Sequence, residues 1–164
     1  MGKNRVVLVG GGIATKLVED FCLHADIPAL KRAVIDISYA DFNKAATTVV
    51  FDTGAVIPKG AFILKTLIDE VVKFEGGAIS TAVIAVGDSD GSGGTTDPDR
   101  YNTGTPNVFQ NADVLDAGAV SGTALHTADA EVAVTLTTSA NANALTAGSA
   151  KITIFYLQAA DHSS

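Results

Sequence analysis

The 164-residue chain carries 18 acidic and 11 basic side chains, a formal charge of −7, which argues against general nucleic-acid binding because that needs Lys and Arg to displace counterions from phosphate. A single cysteine, Cys22, excludes an intrachain disulfide and any paired-cysteine metal or redox site. The length suits one domain, no run of about 18 apolar residues is present to span a membrane, and a stock of 26 Ala, 17 Thr, 16 Gly and no Trp suits sheets and loops better than a helical bundle.

At the start, Arg5–Val9 is a short apolar run that Gly10-Gly11-Gly12 breaks. Lys3 and Arg5 ahead of Val6–Ala14 imitate a secretory signal, but three glycines interrupt the would-be apolar core, and Val6 removes the hydroxyl that a myristoylation site needs. Ala14–His24 has helical spacing, with Leu17, Val18, Phe21 and Cys22 on one side and Lys16, Glu19 and Asp20 on the other, and Asp26-Ile27-Pro28 stops it. Lys31–Ala40 is a predicted strand in which Ile35, Ile37 and Tyr39 alternate with Asp36 and Ser38. Thr47–Phe51 is a second, followed by the turn signals Asp52-Thr53-Gly54 and Pro58-Lys59-Gly60. Ala61–Phe74 fits two periods: Ile63, Leu67, Val71 and Phe74 suit a helix, whereas Phe62, Leu64, Thr66 and Ile68 suit a strand. Its β-branched and aromatic content favours one long strand.

Ala78–Val86 reads as a strand and Gly87–Thr105 as a long loop dense in Asp, Gly, Ser and Thr. Val108–Leu115 and Ala119–Leu125 are two further strand candidates. Glu131–Thr137 alternates cleanly, Ser139–Ser149 is an Ala/Asn/Gly/Thr loop, and Lys151–Leu157 closes the chain as a strand. About eight short strands, with no helical pattern after residue 75, predict an all-β fold: an antiparallel β-sandwich with the strand number of a jelly roll. The expected organisation is an N-terminal arm with a short helix over residues 1–30 and a β-sandwich domain over 31–164.

Charge divides the chain. Residues 1–74 hold nine basic and eight acidic groups, net +1, and residues 75–164 hold two and ten, net −8. The second half presents a negative field that repels polyanions and keeps copies soluble.

Two stretches imitate ligand sites. Val6–Val9, Gly10-Gly11-Gly12, a helix and then Ala33–Ile37 with Asp36 follow the order of a dinucleotide-binding start, where pyrophosphate rests on N–H groups at a helix N-terminus. The third glycine position is Thr15, however, and the alternation of strands and helices does not continue. An arm with a glycine hinge and a docking helix is the competing account. Asp88, Asp90, Ser92 and Asp99 stand at positions 1, 3, 5 and 12 of a calcium-loop spacing with Gly93 at the sixth. Asp99 is shorter than the usual Glu, Pro98 sits beside it, and the flanks read as strands, which favours a hydrated loop tip.

Nothing assembles a nucleophile. Ser92 and Ser121 lie in glycine-flanked loops without the G-x-S-x-G turn. His126 and Asp129 are three apart, as chance supplies, Asp97 and Asp99 sit in an acidic loop, and Cys22 falls on the apolar side of its helix, where a buried inert thiol is the default. No catalytic, cofactor-binding or metal-ligating residue is expected, and no enzyme.

Residues 31–158 nevertheless carry a pattern. It consists of the opening strand Lys31–Asp41, Val50–Asp52 running into Ile57-Pro58-Lys59-Gly60-Ala61, and the strand end Val86-Gly87-Asp88. The return Asp97-Pro98-Asp99-Arg100-Tyr101 and the closing Ile152-Thr153-Ile154-Phe155-Tyr156-Leu157 complete it. This pattern resembles the small jelly-roll structural proteins of tailed bacteriophages, in particular capsid decoration (cement) proteins. The resemblance implies a non-enzymatic virion protein, made in the host cytoplasm and placed on the outer capsid surface, where it stabilises contacts between capsomers. Its implied partners are the major capsid protein and itself, as a homodimer or homotrimer, with no nucleic acid and no membrane. The near-neutral first half, with Lys3, Arg5 and Lys16, would supply a gripping arm. The rival readings are another virion part such as a head fibre or tail protein, a dinucleotide-binding enzyme using Gly10–Gly12, and a carbohydrate-binding sandwich, for which Tyr101 and Phe109 are the aromatics near the long loops.

Overall fold

The computed structural model describes residues 8–9, 12–13, 29–102, 104–110 and 125–158. The expected helix Ala14–His24, and with it Cys22, lies outside them, as do Ser121 and most of the two strand candidates between residues 108 and 125. The described residues form two antiparallel sheets packed as a β-sandwich. Strands β3 (Ala29–Ser38), β5 (Ala61–Glu75) and β9 (Ala147–Gln158) make one sheet in the order β3-β9-β5. Strands β4 (Thr48–Ile57), β6 (Ala82–Ser89), β7 (Thr95–Asp97) and β8 (Ala130–Thr138) make the other, in the order β4-β8-β6-β7. Two further short strands, β1 (Leu8–Val9) and β2 (Gly12–Ile13), pair antiparallel with each other. No helix among the described residues is long and apolar enough to cross a membrane.

Side-chain alternation builds the sandwich. In β3, Ile35 and Ile37 face inward, and in β9 Ala150, Ile152, Ile154 and Tyr156 do the same. The register places Ile35 opposite Ile152, and Ile152 opposite Ile68 of β5, so one inward row crosses all three strands. The facing sheet contributes Val49 and Ile57 from β4, Ile84 and Val86 from β6, and Val132, Val134 and Leu136 from β8. Between the sheets, Phe42 meets Phe51 and Phe74 edge-on at centroid distances of 5.9 and 6.2 Å, a geometry that aligns ring edges with π faces. Phe42 sits on a 3-10 turn, Tyr39–Phe42, which carries the chain from one sheet to the other. Asp41 holds that turn by accepting both the N–H (2.7 Å) and the hydroxyl (3.0 Å) of Ser38.

The structure redraws several local expectations. Ala61–Phe74 is one strand, as its composition suggested, but an irregular one. Its register slips after Ile63 and again after Asp69 and Val72. Asp52-Thr53-Gly54 does not end a strand; it forms a bulge inside β4, where the register jumps between Asp52 and Val56. Its turn chemistry is spent locally: Thr53 Oγ1 donates to the Val132 carbonyl (2.7 Å), and the Gly54 N–H donates to Glu131 Oε1 (3.1 Å). β6 runs to Ser89, and the predicted Gly87–Thr105 loop contains β7.

Candidate functional site

Two regions concentrate the chemistry. The first is a polar cluster where β6 ends and the segment 95–102 folds back. Gly87 makes that return feasible, because a Cβ there would overlap the Asp97 carbonyl oxygen. Beyond β7 the returning chain completes the edge of β6. The Tyr101 N–H donates to the Val86 carbonyl (2.9 Å), and Asn102 Oδ1 accepts the Val86 N–H (2.6 Å). Asn102 thus substitutes a side-chain carbonyl for a strand partner, and its Nδ2 donates to the Gly104 carbonyl (2.6 Å).

This fold-back buries Asp88 and satisfies it. Tyr101 donates its hydroxyl to Asp88 Oδ1 (2.5 Å), and Arg100 Nη1 lies 3.1 Å from Oδ2. Burial, reinforced by the Asp88 carboxylate, pushes the Tyr101 phenol well above its usual range, so it stays a donor. The ring of His126 stacks on Tyr101, with centroids 5.7 Å apart and planes 5° from parallel. His126 is fixed through its backbone, its N–H donating to the Ala61 carbonyl and its carbonyl accepting the Gly60 N–H, each at 2.8 Å. Burial first, then the Arg100 charge, hold the imidazole below its ordinary pKa, against a smaller opposite pull from Asp88. Its Nε2 is buried with no hydrogen-bond partner. Asp88, Arg100 and His126 border a cavity of about 260 Å³ whose rim includes Asp129 and Glu131.

The calcium-like spacing does not become a site of converging oxygens. Asp88 faces Tyr101 and Arg100. Asp90 Oδ1 accepts the N–H groups of Ser92 (2.7 Å) and Gly94 (2.9 Å), closing its own loop. Asp97 is raised by burial first and then by its neighbour Asp99. Among the described residues no three His, Cys, Asp or Glu side chains gather at one point. Asp129 is engaged elsewhere too, accepting the Lys59 N–H at 2.7 Å. A general base needs the proton it moves within hydrogen-bond reach, and among the described residues the buried Nε2 of His126 has no hydrogen-bond partner. The dinucleotide-binding order also fails in its backbone. Gly12 pairs antiparallel with Val9, and the strand holding Asp36 pairs antiparallel with β9, whereas that fold needs parallel strands linked by helices.

The second region is the outer face of the β3-β9-β5 sheet. Six of the eight large apolar side chains exposed among the described residues belong to this sheet or its margin: Leu30, Val34, Phe62, Leu64, Val72 and Leu125. Leu125 joins through a backbone bridge to Phe62. The register orders the face in cross-strand rows. Val34, Thr153 and Leu67 form the middle row. Towards one end follow Arg32, Phe155 and Lys65, then Leu30, Leu157 and Phe62. Towards the other follow Asp36, Lys151 and Asp69, then Ser38, Ser149 and Val72. Lys151 pairs with Glu70 beside this row, and Glu70, Asp36 and Asp69 together hold the ammonium above its usual pKa, led by the Glu70 hydrogen bond. Composition gave no hint of this face; strand register was needed to collect residues from three distant segments.

No protein-family model and no curated protein matches the sequence. Matches among solved structures include two chains. A chain in the capsid of Ralstonia phage GP4 aligns with a TM-score of 0.51 and 18% identity, covering 82% of this chain and 88% of that one. A chain in the capsid asymmetric unit of cyanophage Pam1 aligns with a TM-score of 0.47 and 17% identity, covering 96% of this chain and 97% of that one. Both structures are of phage capsids, and at 18% identity the likeness to the Ralstonia phage GP4 chain is one of fold.

Proposed function

We propose that this chain is a structural protein of a phage virion, bound to the outside of the capsid, where it ties neighbouring capsomers of the major capsid protein together. The observation that carries the reading is the fold shared with the Ralstonia phage GP4 capsid chain over most of both chains. Two features of this molecule support it. Most of the large apolar side chains exposed among the described residues gather on one sheet or its margin, as adhesion requires. Its acidic second half suits a surface turned away from packaged DNA. Stabilisation would come from added interface that must be lost before capsomers separate, multiplied over many copies. The residues ahead of β3, 1–28, serve in this reading as an arm that grips the shell or a neighbouring copy.

The test is to mix the purified chain with empty shells assembled from the major capsid protein encoded beside it. Co-sedimentation, ordered density outside the shell in cryo-electron microscopy and a raised shell melting temperature are expected. A chain that stays in the supernatant at every concentration overturns the reading, and density on the tail or on a head fibre transfers it to that part of the particle. Deleting residues 1–28 should leave a cooperatively folding sandwich with weakened shell attachment; unchanged attachment removes the arm from the proposal.

A further inference from the structure

The outer face of the β3-β9-β5 sheet is complementary to itself, and we infer that two copies of this chain pair through it, face to face, about a two-fold axis along the row Val34–Thr153–Leu67. This specifies the self-association within the capsid reading above. An axis along that row keeps each strand opposite its own copy, reverses its direction, and turns one end of the sheet onto the other. Arg32 then meets Asp36 of the second copy and Lys65 meets its Asp69, because each pair lies on one strand at equal distances either side of the axis. Phe155 meets Lys151 in the same way, ring against ammonium, and Phe62 meets Val72. The axis itself brings Val34 onto Val34 and Leu67 onto Leu67.

The charges make this arrangement specific. The row on one side of the axis holds the cations Arg32 and Lys65, and the row on the other holds Asp36 and Asp69 with Lys151 between them, its ammonium paired with Glu70. Pairing about an axis along β9 instead, with strands parallel, would set Arg32 on Lys65 and Asp36 on Asp69 of the second copy, which like-charge repulsion opposes. The axis along the Val34–Thr153–Leu67 row turns every such clash into a pair, and an isologous contact requires that self-complementarity. Leu30, at 64% exposure, Phe62 at 47% and Val34 at 45% supply the apolar area. Sheets that pack face to face keep their strands within about 30° of alignment, which lets the rows meet. The five rows span about 27 Å at ~3.4 Å per residue, and three strands about 10 Å between outer axes. The footprint is therefore smaller than the ~800 Å² per partner of a standard interface, so the dimer in solution is weak, concentration-dependent and sensitive to salt, and is reinforced by attachment of both copies to one surface.

Charge reversal separates this dimer from its alternatives. One variant, Arg32→Asp with Lys65→Asp, makes the face negative; a second, Asp36→Lys with Asp69→Lys, makes it positive. Sedimentation velocity over a concentration series should show a wild-type dimer whose dissociation constant rises with salt. Each variant alone should dissociate at least tenfold more readily, while circular dichroism shows it folded. An equimolar mixture of the two should form a heterodimer within a few-fold of wild-type affinity. A wild-type chain that stays monomeric into the millimolar range, a trimer, reversed chains that associate like wild type, or a mixture that does not associate would each overturn the inference. So would a face protected from hydrogen exchange only on shells, which would assign it to the capsid protein. Shell binding is scored separately: a dimer that ignores shells refutes the capsid reading alone, and a chain that binds shells but never dimerises refutes this one alone.

Discussion

Asp88 is buried, yet both of its carboxylate oxygens are occupied, one by the Tyr101 hydroxyl and one by Arg100. Removing a donor from such a group leaves the acceptor without water to replace it. Tyr101→Phe keeps the ring on His126 but strips that donor, and should cost about 1–3 kcal/mol in urea unfolding. His126 gives the molecule a pH response with a definite sign. Its folded-state pKa lies below the ordinary 6.5, so the unfolded chain takes up the proton first. Stability is therefore insensitive to this group above about pH 7 and falls as the pH drops through 6.5 towards the lowered value. Unfolding at a series of pH values from 8 down to about 5 should show that fall, and His126→Gln should flatten it. Because Asp88 is committed to Tyr101 and Arg100, and Asp90 to its own loop, a chelator should leave the melting temperature unchanged; a clear drop would show that the loop holds a cation.

At the scale of elements, β5 shows why part of the fold was hard to read. Its inward residues are Ala61, Ile63, Thr66, Ile68, Val71 and Phe74, separated by steps of two and three. A regular strand repeats every two residues and a helix every 3.6, so a strand with register slips falls between the two and imitates both. β3 and β8 have steady alternation in the residues that face the core and were legible for that reason. β4 was legible only as far as Asp52, because a bulge uses the residues a turn uses. Two positions in the sheet of β3, β9 and β5 test these irregularities. Gly148 has φ +137°, and a Cβ there would lie 2.6 Å from the Phe74 ring; Gly148→Ala should destabilise by about 2 kcal/mol or more, through strain and overpacking together. Glu70 has φ +50° in the slip after Asp69. Asn accepts that conformation more readily, and the exposed pair with Lys151 contributes little, so Glu70→Asn should hold or raise stability by up to about 1 kcal/mol in the same measurement.

For the whole molecule, the sandwich could be argued from strand spacing and composition, while the sites could not. The motifs that stood out in the chain, Gly10–Gly12 and the Asp88 loop, owe their prominence to local spacing. In the fold, Asp88 and Asp90 bind the loop to its own donors, and Gly12 belongs to an antiparallel pair. The outer sheet face has the opposite character. Its charges are scattered over residues 32–69 and 151, and only the register of three strands sets them in opposed rows. Charge at this scale also carries an expectation: at −7 the chain should leave duplex DNA unshifted in a gel at moderate salt, and retention of DNA would contradict an outward-facing acidic half.

The pairing of Ala29 with Gln158 puts the first and last residues of the sandwich side by side on neighbouring strands. Tension applied across those two ends would peel β3 from β9 one hydrogen-bonded couple at a time, beginning at Ala29 and Gln158, instead of straining the ladder all at once. A segment joined directly at Ala29 or at Gln158 would leave from the same corner, beside Leu30, Leu157 and Phe62, so bulk placed there would crowd the apolar end of the face, and cargo would be better carried on the Asp90–Gly94 loop.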